Sequence, residues 1–199
     1  MVNLSFGIVA LGANLPLSQQ DPVSTLHSIS SILHTAPGIS IMSISRIWRT
    51  PAVPAGSGPD YANAVALIET ELSSLELLAL LHRIEADHGR DRSGDRWSAR
   101  VLDLDLIALD DLVLPDADHL RDWMALPPDL QQVRTPDRLI LPHPRLQDRA
   151  FVLAPLAEIA PGWCHPLTGR SVAQMLADLG PQALDGMTPV AWGERPGAA

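Results

Sequence analysis

Apolar positions along the chain follow two periods, one of strands and one of helices. Phe6 to Leu11 is a dense apolar run closed by Gly12-Ala13-Asn14, the pattern of a buried strand ending in a turn. Asp21-Pro22 then supplies a helix N-cap and a proline at the first helical position. Leu26, Ile29 and Leu33 follow at helical spacing toward Gly38, which predicts a helix over 22–35. Ile39 to Trp48 alternates imperfectly but is rich in β-branched residues, so it reads as one strand with a bulge. Three prolines and two glycines between Thr50 and Asp60 mark an exposed loop.

Tyr61 to Glu69 alternates as a strand, and Ser73-Ser74-Leu75-Glu76 is a capping-box pattern opening a helix through Leu77, Leu78, Leu81 and Ile84 to about His88. Val101 to Leu109 is the next strand, with Asp110-Asp111 as a hairpin turn and Leu112 to Leu114 as a short return strand. Residues 115–137, rich in Pro and Asp, read as a surface insertion with a helical turn at His119 to Met124. Leu139 to Leu141 is a short strand, Phe151 to Ile159 a helix in spite of Pro155, and Ser171 to Leu179 another helix. The order β-α-β-β-α-β is that of an α+β, ferredoxin-like antiparallel sheet flanked by helices, with the helices of this repeat on one face. The organisation expected is a single domain over 1–180 that includes the insertion, followed by a flexible tail over 181–199.

Composition narrows the functional classes. A hydrophobic fraction of 46%, a net charge of -9 and a pI near 5.1 describe an acidic globular protein and argue against general binding to nucleic acid or anionic membranes. Any phosphate site must therefore be local. All 14 cationic side chains are arginine, which codon bias in a GC-rich genome explains, but ten of them fall between Arg83 and Arg149. No basic residue precedes the first apolar run, no run reaches the length of a membrane span, and the single Cys164 excludes an intramolecular disulfide. The expected setting is the reducing cytoplasm.

Candidate chemistry centres on Asp103 and Asp105. In a strand they project to one face while Leu102, Leu104 and Leu106 pack on the other. Two adjacent carboxylates repel, and a divalent cation relieves the repulsion; hard oxygen ligands suit Mg²⁺, whose shell is completed by water and substrate phosphates. The same pattern would also fit the solvated face of an ordinary sheet. Just upstream, however, Arg90, Arg92, Arg96 and Arg100 cluster in a glycine-containing loop, and guanidinium groups bind phosphate oxygens through paired donors. Arg92 and Arg96 can equally pair with Asp91 and Asp95, whereas Arg100 leads directly into the strand. Trp97 suits stacking on a planar ligand as well as it suits packing on the core.

Several segments, in order, make the chain similar to the 6-hydroxymethyl-7,8-dihydropterin pyrophosphokinase family across about residues 6–179. They are Ala10-Leu11-Gly12-Ala13-Asn14, Arg49-Thr50-Pro51, Pro59-Asp60-Tyr61-Ala62-Asn63-Ala64, Arg83-Ile84-Glu85, Gly89-Arg90, the run from Arg96 to Asp105, Leu141-Pro142-His143 and Arg149-Ala150-Phe151. The resemblance implies transfer of the terminal diphosphate of ATP to the pterin hydroxymethyl group, with release of AMP, in folate biosynthesis. It implies that Asp103 and Asp105 hold two Mg²⁺ ions, that Arg90 and Arg92 lie on a loop closing over the phosphates, and that Arg100 binds them from the start of the strand. Thr50, Pro51, Val53, Tyr61, Asn63, Trp97 and Phe151 match the pterin pocket. His82, Glu85, Arg92, Trp97, Arg100, Leu106, Arg138, Ile140, His143 and Arg149 match positions around ATP. A monomer acting on these two small molecules, without nucleic acid, membrane or an obligate protein partner, is the expectation that follows.

Departures from the family pattern gather around adenosine: His82 stands where glutamine is frequent, Ile140 replaces a hydroxyl residue, and Pro144 follows the histidine in place of an aromatic. Ser98 takes a place usually held by Gly or Ala. The same metal dyad would serve a phospho- or nucleotidyltransferase with another acceptor. A binding module without catalysis would be expected to have lost one of Arg90, Arg92, Arg100, Asp103 and Asp105, and all five are intact.

Overall fold

Apolar side chains at successive rather than alternate positions of β1 (Ser5–Ala13) and β4 (Tyr61–Thr70) decide the architecture, because a sheet apolar on both faces must be covered on both. The structure is a computed structural model and describes residues 4–16, 21–52, 58–88, 101–127, 130, 133–190 and 192. The other elements are α1 (Pro22–Thr35), β2 (Ile39–Ile44), β3 (Ile47–Thr50), α2 (Ser74–Asp87), β5 (Asp103–Leu109), α3 (Ala117–Met124), α4 (Ala150–Ile159), α5 (Val172–Asp178) and β6 (Thr188–Val190). β1 lies between β4 and β5, β2 and β3 share the far edge of β4, β6 pairs with β3, and every pairing is antiparallel. This is the expected ferredoxin-like order, with Asp21 capping α1 and a reciprocal Ser73–Glu76 capping box opening α2.

One apolar layer joins Val9 and Leu11 of β1, Ala64, Ala66 and Ile68 of β4, and Leu104 and Leu106 of β5 to α1 and α2. The intervening residues Ile8, Val65, Leu67, Ile107 and Ala108 face the other way, against α4 and α5. The second helical layer is an addition to the one-face arrangement that the β-α-β-β-α-β order predicts. A register shift where Ile8 and Val9 meet Ala108 and Leu106 leaves Ile107 as the extra residue of a bulge, so Ile107 and Ala108 both face α4.

Four expectations change in detail. The strand over 39–48 is two strands, broken at Ser45-Arg46, where the Ser45 hydroxyl accepts the Val65 N–H at 3.0 Å. The short strands at Leu112 to Leu114 and Leu139 to Leu141 shrink to one bridge between Leu114 and Leu141. The chain turns at Asp110 (φ 45), whose carboxylate accepts the Phe6 N–H at 2.7 Å, and then leaves the sheet for the insertion. There the expected turn is a full helix, α3, capped by Asp116. Residues beyond 180, expected to be flexible, carry a 3-10 turn and β6, and Trp192 donates to the Ser45 carbonyl at 2.7 Å while stacking on His27 at 4.7 Å. Edge pairing uses backbone groups and leaves no hydrophobic period to read. Among the described residues no helix is long and apolar enough to cross a membrane.

The loop between α4 and α5 buries His165 completely; its Nδ1 accepts the Leu167 N–H at 3.2 Å, so the neutral ring carries its proton on Nε2. Burial holds its pKa below the usual histidine value. The unfolded chain therefore binds this proton first, and stability present above about pH 6.5 is lost as the pH falls from there. His165→Asn, whose side-chain oxygen replaces the Nδ1 acceptor, is expected to flatten the fall in urea midpoint between about pH 7 and 5; an unchanged slope would exclude this assignment.

Candidate active site

Gly12 shares its register with two strands at once, opposite Asn63 on β4 and Asp103 on β5. Residues directly opposite one another point to the same face, so Asn63 and Asp103 rise from one row of the sheet with only a glycine between them. A Cβ at Gly12 would stand 3.2 Å from Asn63 Oδ1 and 3.9 Å from Asp103 Cβ. The glycine keeps the floor open. One step along, Ala10 is opposite Asp105, so both carboxylates lie on the α4 side of the sheet while Leu104 and Leu106 enter the core beneath.

The other polar groups converge on that floor from β3, β4 and the segment before α4. Trp48 is opposite Asn63 and Thr50 opposite Tyr61, which puts all four on the same face; the Asn63 amide donates to Thr50 Oγ at 2.7 Å. Thr50 and Asn63 are buried, whereas Tyr61 is half-buried. Arg149, which begins α4, places Nη1 3.4 Å from Asp105 Oδ2 and its guanidinium carbon 5.6 Å from the centroid of the exposed Phe151 ring. Asp105 keeps 39% of its side chain accessible. The carboxylate can therefore face a ligand and Arg149 together.

His143 closes the open edge of β5: its N–H donates to the Ile107 carbonyl at 2.7 Å, and its Nδ1 accepts the Arg145 N–H at 3.1 Å. Burial of the ring, then the charges of Arg149 and Arg145, hold its pKa well below the usual histidine value, against an opposing pull from Asp103. The ring is neutral at neutral pH, with Nε2 as its donor. It can give a hydrogen bond to an anion without adding a charge.

Among the described residues no group of three or more His, Cys, Asp and Glu side chains is placed to hold a metal. Asp103 and Asp105 thus supply two hard oxygen donors on a partly exposed face, a set that fits Mg²⁺ with water and phosphate completing the shell and does not fit Zn²⁺, which takes three or four protein ligands.

A family model described as 7,8-dihydro-6-hydroxymethylpterin-pyrophosphokinase matches residues 8–161. The chain belongs to this family. Among pyrophosphokinase relatives, it is 35% identical over 170 residues to the 2-amino-4-hydroxy-6-hydroxymethyldihydropteridine pyrophosphokinase of Synechocystis sp., covering 85% of this chain and 73% of that one. It is 33% identical over 177 residues to the protein of that name from Methylorubrum extorquens, covering 89% and 95%. In fold it resembles the crystal structure of Plasmodium falciparum HPPK-DHPS, with a TM-score of 0.65 at 11% identity, covering 92% of this chain and 46% of that longer chain.

Of the residues that the pyrophosphokinase resemblance singles out, Thr50, Tyr61, Asn63, Asp103, Asp105, His143, Arg149 and Phe151 are brought to one side of the sheet or its rim. Pro51 directly follows β3, against Gly186 of the C-terminal segment. His82 is half-buried on α2, Ile140 is buried, and Arg138 is exposed beside Asp137 at 3.4 Å. Leu106 and Glu85 lie beneath the sheet, Leu106 in the core and Glu85 fully buried with Oε1 accepting the Leu104 N–H at 2.7 Å. Val53, Arg90, Arg92, Trp97 and Arg100 lie outside the described residues.

Sequence reasoning passed over Gly12 as a site residue and the brace around Glu158. A glycine inside a strand pattern is the signal for close approach at Gly12. Glu158, the only charge in an otherwise apolar helical run, accepts from the Arg46 N–H at 2.9 Å, from Arg46 Nε and Nη2 at 2.9 and 2.7 Å, and from Trp48 Nε1 at 3.1 Å. It ties the end of α4 to the strand junction beside Asn63. Glu158→Ala is expected to lower unfolding stability in urea by about 2 kcal/mol, a value moderated by the exposure of Arg46; a loss below about 0.5 kcal/mol would contradict the brace.

Proposed function

We propose that this chain transfers the terminal diphosphate of ATP to 6-hydroxymethyl-7,8-dihydropterin, forming the pterin diphosphate and AMP in folate biosynthesis. Membership of the pyrophosphokinase family supplies the reaction class, and one observation carries its assignment to this site: two carboxylates, Asp103 and Asp105, stand on one face beside Arg149 and in register with Asn63. In the reaction the pterin hydroxymethyl oxygen bonds to the β-phosphorus and gives up its proton to solvent, the bond from that phosphorus to the α,β-bridging oxygen breaks, and AMP leaves with the electron pair.

Asp103 and Asp105 would hold Mg²⁺, in our reading two ions, which when bound neutralises phosphate charge and aligns the attacking and leaving oxygens. Arg149 lies against Asp105 and neutralises charge on the transferring phosphoryl oxygens. Neutral His143 donates from Nε2 to a phosphate or leaving-group oxygen, and Arg90, Arg92 and Arg100 complete the cationic surround. Asn63, oriented by Thr50, presents its amide to the pterin edge, while Tyr61, Phe151 and Trp97 supply aromatic faces for the flat ring, with Pro51 and Val53 at its border. His82, Arg138 and Ile140 border adenosine. Holding donor and acceptor together supplies much of the rate, since little covalent chemistry is left to the protein. The reading includes a cytoplasmic enzyme that works as a monomer.

The decisive assay mixes protein, ATP, Mg²⁺ and the pterin and follows AMP. AMP is expected only when the pterin is present, and Asp105→Ala is expected to lower its rate at least about 100-fold. AMP released without pterin, or full activity of Asp105→Ala, would overturn the assignment. A single species of about monomeric mass in size-exclusion chromatography is the expected companion result.

A further inference from the structure

Glu85 stands on α2 with no exposed surface, and its Oε1 accepts the Leu104 N–H at 2.7 Å. Leu104 is the residue between Asp103 and Asp105. In the described sheet β5 pairs with β1 alone, and an antiparallel edge strand gives alternate N–H groups to its neighbour and the intervening ones to its open side. The Leu104 amide therefore belongs to the open side, and α2 covers that side with a carboxylate. The bond it accepts is from the peptide unit that links Asp103 to Leu104. Rotation of that peptide plane would swing the two carboxylates out of register with each other.

We propose that Glu85 is a positioning residue for the Asp103–Asp105 pair, acting from beneath the sheet through the Leu104 amide and touching neither nucleotide nor metal. The proposal rests on the reading of that pair as a divalent-cation site. Its backbone β1 partners hold Asp103 and Asp105 on one side of the strand, and Glu85 holds the peptide between them on the other. The metal thereby meets two donors of fixed spacing, as ligands oriented by an outer layer of hydrogen bonds do in metal sites generally.

Two variants of similar length separate the bond from the volume. Glu85→Gln keeps a side-chain oxygen that can accept from the Leu104 amide, whereas Glu85→Met fills the space without one. Mn²⁺ binding in the presence of ATP, followed by electron paramagnetic resonance, reads the metal site directly, and amide exchange at Leu104 by NMR reads the bond. Glu85→Met is expected to weaken Mn²⁺ binding about tenfold or more and to speed Leu104 exchange, with Glu85→Gln near the wild type in both and pterin binding without metal unchanged. Wild-type Mn²⁺ affinity in folded Glu85→Met would overturn the proposal, as would a Glu85→Gln protein as weak as Glu85→Met, which would make charge rather than the bond responsible. If Glu85→Met does not fold, Glu85→Gln decides: wild-type affinity and exchange support the bond, and a loss as large as that of Asp105→Ala overturns it. Absence in the wild type of any Mn²⁺ site that Asp105→Ala abolishes would instead overturn the cation-site reading itself.

Discussion

β1 is hydrogen-bonded on both of its edges, and its register against β4 and β5 fixes where each polar group of the site can stand. Gly12 meets Asn63 on one side and Asp103 on the other, and Ala10 meets Val65 and Asp105. A slip of one residue on either side would send those side chains into the opposite layer, where Leu11 and Ala13 are buried. The apolar content of both faces makes such a slip expensive, so packing in the core sets the precision of the polar row. The bulge at Ile107 lies beyond the aspartates and leaves their alternation intact.

Charge is arranged around this row in layers. The carboxylates of Asp103 and Asp105 face outward, Arg149 meets Asp105 from the start of α4, and His143 is kept neutral by desolvation of its ring and by the charges of Arg149 and Arg145. Protonating His143 would add a third positive group where Arg145 and Arg149 already stand. Among the described residues, Asp105 thus has a cation beside it in Arg149, and the nearby ring of His143 stays neutral.

Much of this was legible in the sequence, and the parts that were not share a physical cause. Capped helices such as α1 and α2 announce themselves through Asp21-Pro22 and Ser73–Glu76, and the alternation around Asp103 and Asp105 gives their common face. The second helical layer was harder to read, because a run such as Phe6 to Leu11 has no single apolar face and says only that it is buried. For Glu85 the resemblance gives a place in the chain and not a direction; only the fold shows it buried on α2 against the Leu104 amide. The brace at Glu158 joins residues more than a hundred positions apart, and local patterns carry no information at that range. β6 depends on backbone pairing to β3, so its own side chains had nothing to reveal.

That last strand has a consequence for the order in which the molecule can be made. β6 is opposite Ile47, Trp48 and Arg49, and Trp192 seals against Ser45 and His27, so the edge that carries Thr50 waits for a partner about 140 residues later in the chain. On a ribosome the aspartate strand can find β1 while the outer edge of β3 is still bare. The row that carries Asp103 and Asp105 can form early in synthesis, and the edge that carries Thr50 is closed only when residue 192 has emerged.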